Sequence, residues 1–278
     1  MEMIRQVALV PDGVDIDLTE IVRVSAAVQK QVTRDFSPIW DIQATVDGFA
    51  TLDQIPLGYW PVMIMQDVQG AAGFHQDKNG QPFAVVEAGD SWSLTASHEV
   101  LEMLADPFGN RIVAGPSPKP DQGRVEFLVE VCDPSEDQEF AYTVNDVLVS
   151  DFYTPHYFDP VSQDGVRYSF NGKVTKPREV PRGGYLSWHE LESDHWWQET
   201  FFTGTKPKFN DLGVLDRKNG SLREMIDALT PQTKRLSHLK RNAPKLTGAI
   251  AAASSSDRAS VARAEALRAR IETLKTGA

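Results

Sequence analysis

The segment Ser97-His98-Glu99-Val100-Leu101-Glu102-Met103-Leu104-Ala105-Asp106-Pro107 constrains this chain more than any other stretch. With Trp92, Leu94 and Ala96 before it, it distributes apolar side chains around most of a helix, the pattern of a helix buried on several sides. Asp90 or Ser91 can cap the start. Asp106-Pro107 closes the end, because a residue before proline avoids the helical region. A helix over residues 92–105 therefore carries an imidazole and two carboxylates into an apolar interior. Burying such groups without partners is costly. Either a metal ion or a hydrogen-bonded polar network has to compensate.

Helical positions four apart project about 40° from one another. His98 and Glu102 can thus grip one cation from the same side, and Glu99 can reach a water in an open coordination position. Zinc lowers the pKa of such a water to about 7, and a carboxylate then takes its proton during attack on a carbonyl. The pattern points to metal-dependent hydrolysis of a peptide or other amide bond, with Glu99 as general base. A non-catalytic metal-stabilised binding or assembly protein, such as part of a viral particle, would use the same ligands.

The flanking sequence places this helix late in a β-α-β-β-β-α order. Residues 4–10 read as a buried strand followed by a turn at Pro11-Asp12-Gly13. Asp17 opens a helix in which Ile21, Val24, Val28 and Val32 keep helical spacing, and Asp35 to Pro38 is expected to end it. Residues 42–46, 59–65 and 83–88 read as strands. Asn79-Gly80 is a strong tight-turn signal. Downstream, residues 124–131 read as a strand, and residues 134–192 are rich in turns and aromatics.

The helix resembles that of zincin metallopeptidases, which carry His-Glu-x-x-His or, less often, His-Glu-x-x-Glu after an antiparallel edge strand that aligns peptide. His98-Glu99-x-x-Glu102 is similar to that helix, and residues 70–88 to that edge region; the likeness covers roughly residues 1–135. A weaker likeness is to exordium-type proteins, which have a Ser-His-Glu helix ending in Asp-Pro and then a Glu-x-x-Asp segment, here Glu130-Val131-Cys132-Asp133. The resemblance implies zinc or another divalent cation, with His98, Glu102 and a third ligand. Asp133 is the first choice, since it ends an apolar strand; Glu130 and Asp106 are the alternatives. The expected fold is α+β, a zincin-like mixed sheet with the active helix packed on it, a loop-rich aromatic part and a helical C-terminal tail. Residues 1–200 would form the metal-binding domain, residues 201–230 a connection, and residues 231–278 the tail.

Other candidates have plainer readings. His75 is expected as a strand histidine facing solvent, and His156 as a structural loop histidine rather than an oxyanion helper. Tyr157 and Tyr185 can donate to an oxyanion, although tyrosines in aromatic loops usually pack. Trp188, His189, His195, Trp196 and Trp197 form a cleft wall, a partner surface or a second small core. Cys132, the single cysteine, excludes an internal disulfide and is expected to be buried. Net charge is −11, but residues 231–278 hold ten Lys/Arg and three Asp/Glu, leaving −18 on the rest. An acidic body argues against nucleic acid as its partner, while the basic tail can bind an acidic one. No apolar run approaches the ~20 residues of a membrane span. A cytoplasmic setting is the expectation.

Overall fold

The computed structural model describes residues 4–68, 71–216 and 220–230. The chain is α+β, with a mixed sheet in its N-terminal half and an antiparallel sheet in the rest. The first sheet has the order β2-β1-β3-β5-β4, built from β1 (Arg5–Asp12), β2 (Ala44–Gly48), β3 (Tyr59–Met65), β4 (Gly73–Lys78) and β5 (Gln81–Glu87). β1, β2, β3 and β5 run parallel, and β4 is an antiparallel edge strand paired with β5. The turn joining β4 to β5 places Asn79 and Gly80 at φ of 55° and 80°, the left-handed conformations that this dipeptide tolerates best.

Alternation decides what each face of this sheet buries. Val7, Leu9, Val62, Ile64, Ala84 and Val86 join one core with α1 (Leu18–Gln31) and α3 (Trp92–Ala105). Val10, Met63, Phe83 and Val85 belong to a second cluster with Val68 and Phe74. Asp17 caps α1 by accepting from the Thr19 amide at 2.6 Å. The α1 helix does not stop at Asp35 to Pro38, contrary to the sequence expectation. Residues Val32–Phe36 form a π-helical turn, and α2 (Ser37–Trp40) follows with Pro38 in its first turn. There the missing N–H of proline costs nothing. Asp41, at φ 54°, ends the run.

The aromatic region carries more regular structure than its turns suggest. The second sheet has the order β12-β11-β10-β7-β6, with β6 (Ile112–Pro116), β7 (Arg124–Leu128), β10 (Tyr185–Glu190), β11 (His195–Thr200) and β12 (Lys208–Gly213). A small hairpin of β8 (Tyr142–Val144) and β9 (Val147–Val149) lies between them in sequence. The segment 201–230, read as a connection, holds β12 and a capped helix, α4 (Leu222–Leu229). Leu222 and Ile226 of α4 pack on Leu128 and Trp196, so of the three readings open for the tryptophan segment a second small core holds for Trp196. His189 stacks on Trp196, whereas Trp188 belongs to the main core. The basic tail, residues 231–278, lies outside the described residues. No helix among the described residues is long and apolar enough to cross a membrane.

Glu199 on β11 is half-buried, and burial alone pushes its carboxyl up to about 7. Its folded pKa thus exceeds the unfolded value, so its share of stability is full below about pH 4.5 and lost as pH rises through 7. Glu199→Gln is expected to remove on the order of 1–3 kcal/mol of that slope and to melt higher than the parent at pH 8. Melting both proteins at pH 5 and pH 8 checks it; parallel pH profiles would refute it.

Candidate metal centre

Helix α3 is fixed from behind before it presents anything forward. Ser97 Oγ donates to Gln31 Oε1 of α1 at 2.8 Å and accepts from the Ser150 amide at 2.9 Å. Gln31 in turn donates to the Ser150 carbonyl and to the Tyr142 hydroxyl. This network fills the polar face opposite the site, so the next residue, His98, is held in register with what lies across from it.

What lies across is the exit of β7. The chain continues through buried Val129 and Val131 to Glu130 and Asp133. His98 Nε2 stands 3.3 Å from Glu102 Oε2 and 3.3 Å from Asp133 Oδ1. His98 Nε2 thus stands beside both carboxylates that the sequence nominates, while the groups whose donor atoms all lie within 4.8 Å of one another pair His98 with Glu102 and Cys132, and with Asp133 and Glu136. Tetrahedral bonds of the usual zinc length separate neighbouring donors by about 3.3–3.5 Å, and the two His98 spacings fall in that range. They are not satisfied hydrogen bonds, since Asp133 Oδ1 has no hydrogen-bond partner. Glu99 Oε2 and Glu130 Oε1 are also buried and unpartnered. None of the three carries a hydrogen bond, although His98 lies 3.3 Å from Asp133 Oδ1 and Arg223 Nη2 lies 3.6 Å from Glu99 Oε2, so the cluster has unused acceptor capacity that a cation could take up.

Of the alternative third ligands, Asp106 is committed elsewhere. Its Oδ2 accepts from the Arg111 amide at 2.7 Å, which turns the chain at the end of α3. Glu130 stays in the cluster: Glu102, Glu130 and Asp133 each offer an oxygen within 4.8 Å of the others. Cys132 is buried; its amide donates to Glu102 Oε1 at 3.1 Å, orienting that carboxylate, while burial pushes its thiol well up, so it stays protonated.

Two members of the cluster were not foreseen. His75, expected at the surface, is fully buried, because β4 turns residues 73 and 75 toward α3. Its Nε2 lies 3.0 Å from the Asp106 carbonyl and donates to it, while Nδ1 lies 2.6 Å from Arg223 Nη1, a donor, and so presents its lone pair. That lone pair faces Glu99 Oε2 at 3.5 Å and Glu102 Oε2 at 3.8 Å. Gly73, one step back on the same face, admits α3: a Cβ there would sit 2.7 Å from Thr95 Cγ2 and 2.9 Å from Glu99 Oε1. The second addition is Arg223 of α4. Its Nη1 donates to Glu102 Oε2 and Glu130 Oε2, and its Nε pairs with Asp227 at 3.3 Å. The available signal was Ser221-x-x-Glu224, a helix-start pattern in which Ser221 Oγ accepts from the Glu224 amide.

The electrostatics reflect this crowding of anions. Burial by itself lowers the His98 imidazolium, but Glu102, Asp133 and Glu99 outweigh it and hold its pKa well above the ordinary histidine value. Burial raises the Glu102 carboxyl, yet His98 and Arg223 prevail and keep it well below the usual range. Glu130 goes the other way: burial lifts it well above that range despite Arg223. Burial and the charge of Glu102 push Asp133 up to about 7.

Access is narrow, with only 12% of the His98 side chain exposed. A small pocket lined by Leu128, Glu130, Asp133, Tyr185, Leu186 and Ser187 adjoins the cluster from the second sheet. Tyr185 is thus beside Asp133 and Glu130, and burial keeps its phenol protonated and able to donate. The other candidates are occupied. Tyr157 stacks on Tyr153 with ring centroids 4.6 Å apart and donates to the Glu179 carbonyl. His156 is exposed and bonded to Asp159. No known protein family, characterised protein or solved structure matches this chain.

Proposed function

We propose that the chain is a zincin-like metal-dependent hydrolase of peptide or amide bonds, with zinc or a similar divalent cation held by His98, Glu102 and Asp133. One observation carries the reading: the 3.3 Å spacings from His98 Nε2 to Glu102 Oε2 and Asp133 Oδ1, with that aspartate oxygen left without a hydrogen bond. When bound, the cation supplies Lewis acidity to the substrate carbonyl and the attacking water. Glu99, the residue after His98 and with one oxygen that carries no hydrogen bond, would take the proton from that water and return it to the leaving amine. Cys132 N–H and Arg223 hold Glu102 ionised and oriented. Tyr185 is the available donor toward a developing oxyanion in the adjoining pocket. The antiparallel edge strand β4 offers backbone pairing to an extended peptide.

The test is metal content joined to cleavage. Protein purified without added metal is expected to carry about one equivalent of a transition metal and to cleave a mixed peptide pool until chelated. His98→Ala is expected to weaken metal binding by more than about 100-fold, beyond the effect of an outer-shell change. Failure to retain any transition metal after zinc loading, or a loaded protein that cleaves nothing, overturns the reading. A second reading, a non-catalytic metal-stabilised binding protein, is favoured by the enclosure of the site. It predicts that His98→Ala lowers the melting temperature of a protein that never showed turnover.

A further inference from the structure

The hydrogen bonds at Arg223 Nη1 do not balance. An arginine Nη1 carries two hydrogens. Three acceptors converge on this one: Glu102 Oε2, Glu130 Oε2 and, at 2.6 Å, His75 Nδ1. The imidazole cannot leave the contest by switching roles, because its Nε2 proton is committed to the Asp106 carbonyl. A fourth group waits beside them: Glu99 Oε2, 3% exposed, lies 3.5 Å from His75 Nδ1 and 3.6 Å from Arg223 Nη2 without a hydrogen bond. Donor atoms of His75, Glu99 and Glu102 all fall within 4.8 Å of one another. Three lone pairs aimed at one nitrogen exceed what its two directed N–H bonds can satisfy, and Glu99 Oε2, beside Nη2, carries no hydrogen bond. A metal ion accepts donors from every side and has no such limit.

We propose that His75 Nδ1, Glu102 Oε2 and Glu130 Oε2 form a second divalent-cation position, which the Arg223 guanidinium fills and from which a cation displaces it. One imidazole and two carboxylates suit zinc, manganese or iron. The position shares only Glu102 with the His98 site and requires no hydrolysis there. Arg223 reaches it from α4, an eight-residue helix held by Leu222 and Ile226 against Leu128 and Trp196. The cation and the seated arginine exclude each other, so each weakens the other's hold by the same factor.

The experiment uses the full chain, stripped with a chelator and titrated with zinc alone, with stoichiometry read by elemental analysis after gel filtration. Arg223→Met is expected to bind one equivalent more than the parent, at least tenfold tighter than any matching step in the parent. Adding His75→Ala should remove that gain. Equal stoichiometry and affinity in parent and Arg223→Met overturn the proposal, as does a gain that survives His75→Ala. A parent that binds none beside an Arg223→Met that binds one, lost with His75→Ala, supports this position and sinks the His98 reading. A parent equivalent that disappears with His98→Ala, with nothing added by Arg223→Met, does the reverse. Should Arg223→Met fail to fold, hydrogen exchange of the parent decides. Zinc beyond the first equivalent is expected to speed exchange of the α4 amides at least tenfold, and unchanged protection overturns the proposal.

Discussion

Glu99→Gln is expected to cut peptide hydrolysis by about 10²- to 10⁴-fold, the usual worth of a general base, while leaving metal content unchanged. The substitution preserves shape. Glu99 is 3% exposed, sits above Gly73 where no side chain competes, and has one carboxylate oxygen without a hydrogen bond. Glutamine fills the same space but cannot accept a proton from water. Glu99 stands outside the proposed ligand set of His98, Glu102 and Asp133, with Oε2 3.5 Å from His75 Nδ1 and 3.6 Å from Arg223 Nη2, so loss of its charge should leave the cation's ligands in place. Turnover, bound metal and melting temperature, measured together on parent and variant, read the three outcomes apart. Unchanged turnover removes Glu99 from the chemistry. Joint loss of metal and turnover makes it a ligand.

The second large effect lies outside the cluster, at Gly184. A Cβ on this residue would sit 2.0 Å from the Pro134 carbonyl oxygen, 2.5 Å from its carbon and 2.8 Å from the Asp133 carbonyl oxygen. All three are backbone atoms, so no side chain can rotate aside. Gly184→Ala must push the start of β10 away from the Asp133-Pro134 turn. A loss of about 3 kcal/mol or more is expected, near the upper range for overpacking, and on the order of 10 °C in melting temperature for a domain of this size. Because the same turn carries Asp133, zinc affinity should fall with stability. Gly89→Ala is the control: its Cβ would meet nothing within 4 Å, and it should change stability by less than about 1 kcal/mol. Equal melting temperatures for the two variants would falsify the close-approach account of Gly184.

Local chemistry was readable in residue order. The Asp17 cap, the Asn79-Gly80 turn and the bounds of α3 depend on neighbours within a turn or two and lie where the residue pattern puts them, although Ser91, at the start of α3, makes no side-chain capping hydrogen bond. The reading failed where local signals were contradicted or diluted. Pro38 looked like a stop, but after a π turn it begins a new helical turn instead. Strands β10 to β12 are short, and their aromatic and polar residues alternate too loosely to stand out from turns. The Ser221 cap of α4 was present but hidden in a segment that looked like a connection.

By itself the sequence determined that an imidazole and two carboxylates would share a buried helix, because a four-residue spacing on an α-helix is geometry independent of context. Only tertiary structure decided what would meet them. Asp133 arrives not from the strand end that the sequence suggests but from a short 3-10 turn, Asp133–Ser135, beyond β7, His75 from an edge strand whose facing depends on pairing register, and Arg223 from 148 residues beyond His75. Local periodicity carries no information about which distant charge will compensate a buried one. That choice belongs to packing, where an unpaired carboxylate costs more than any helix or strand preference can repay.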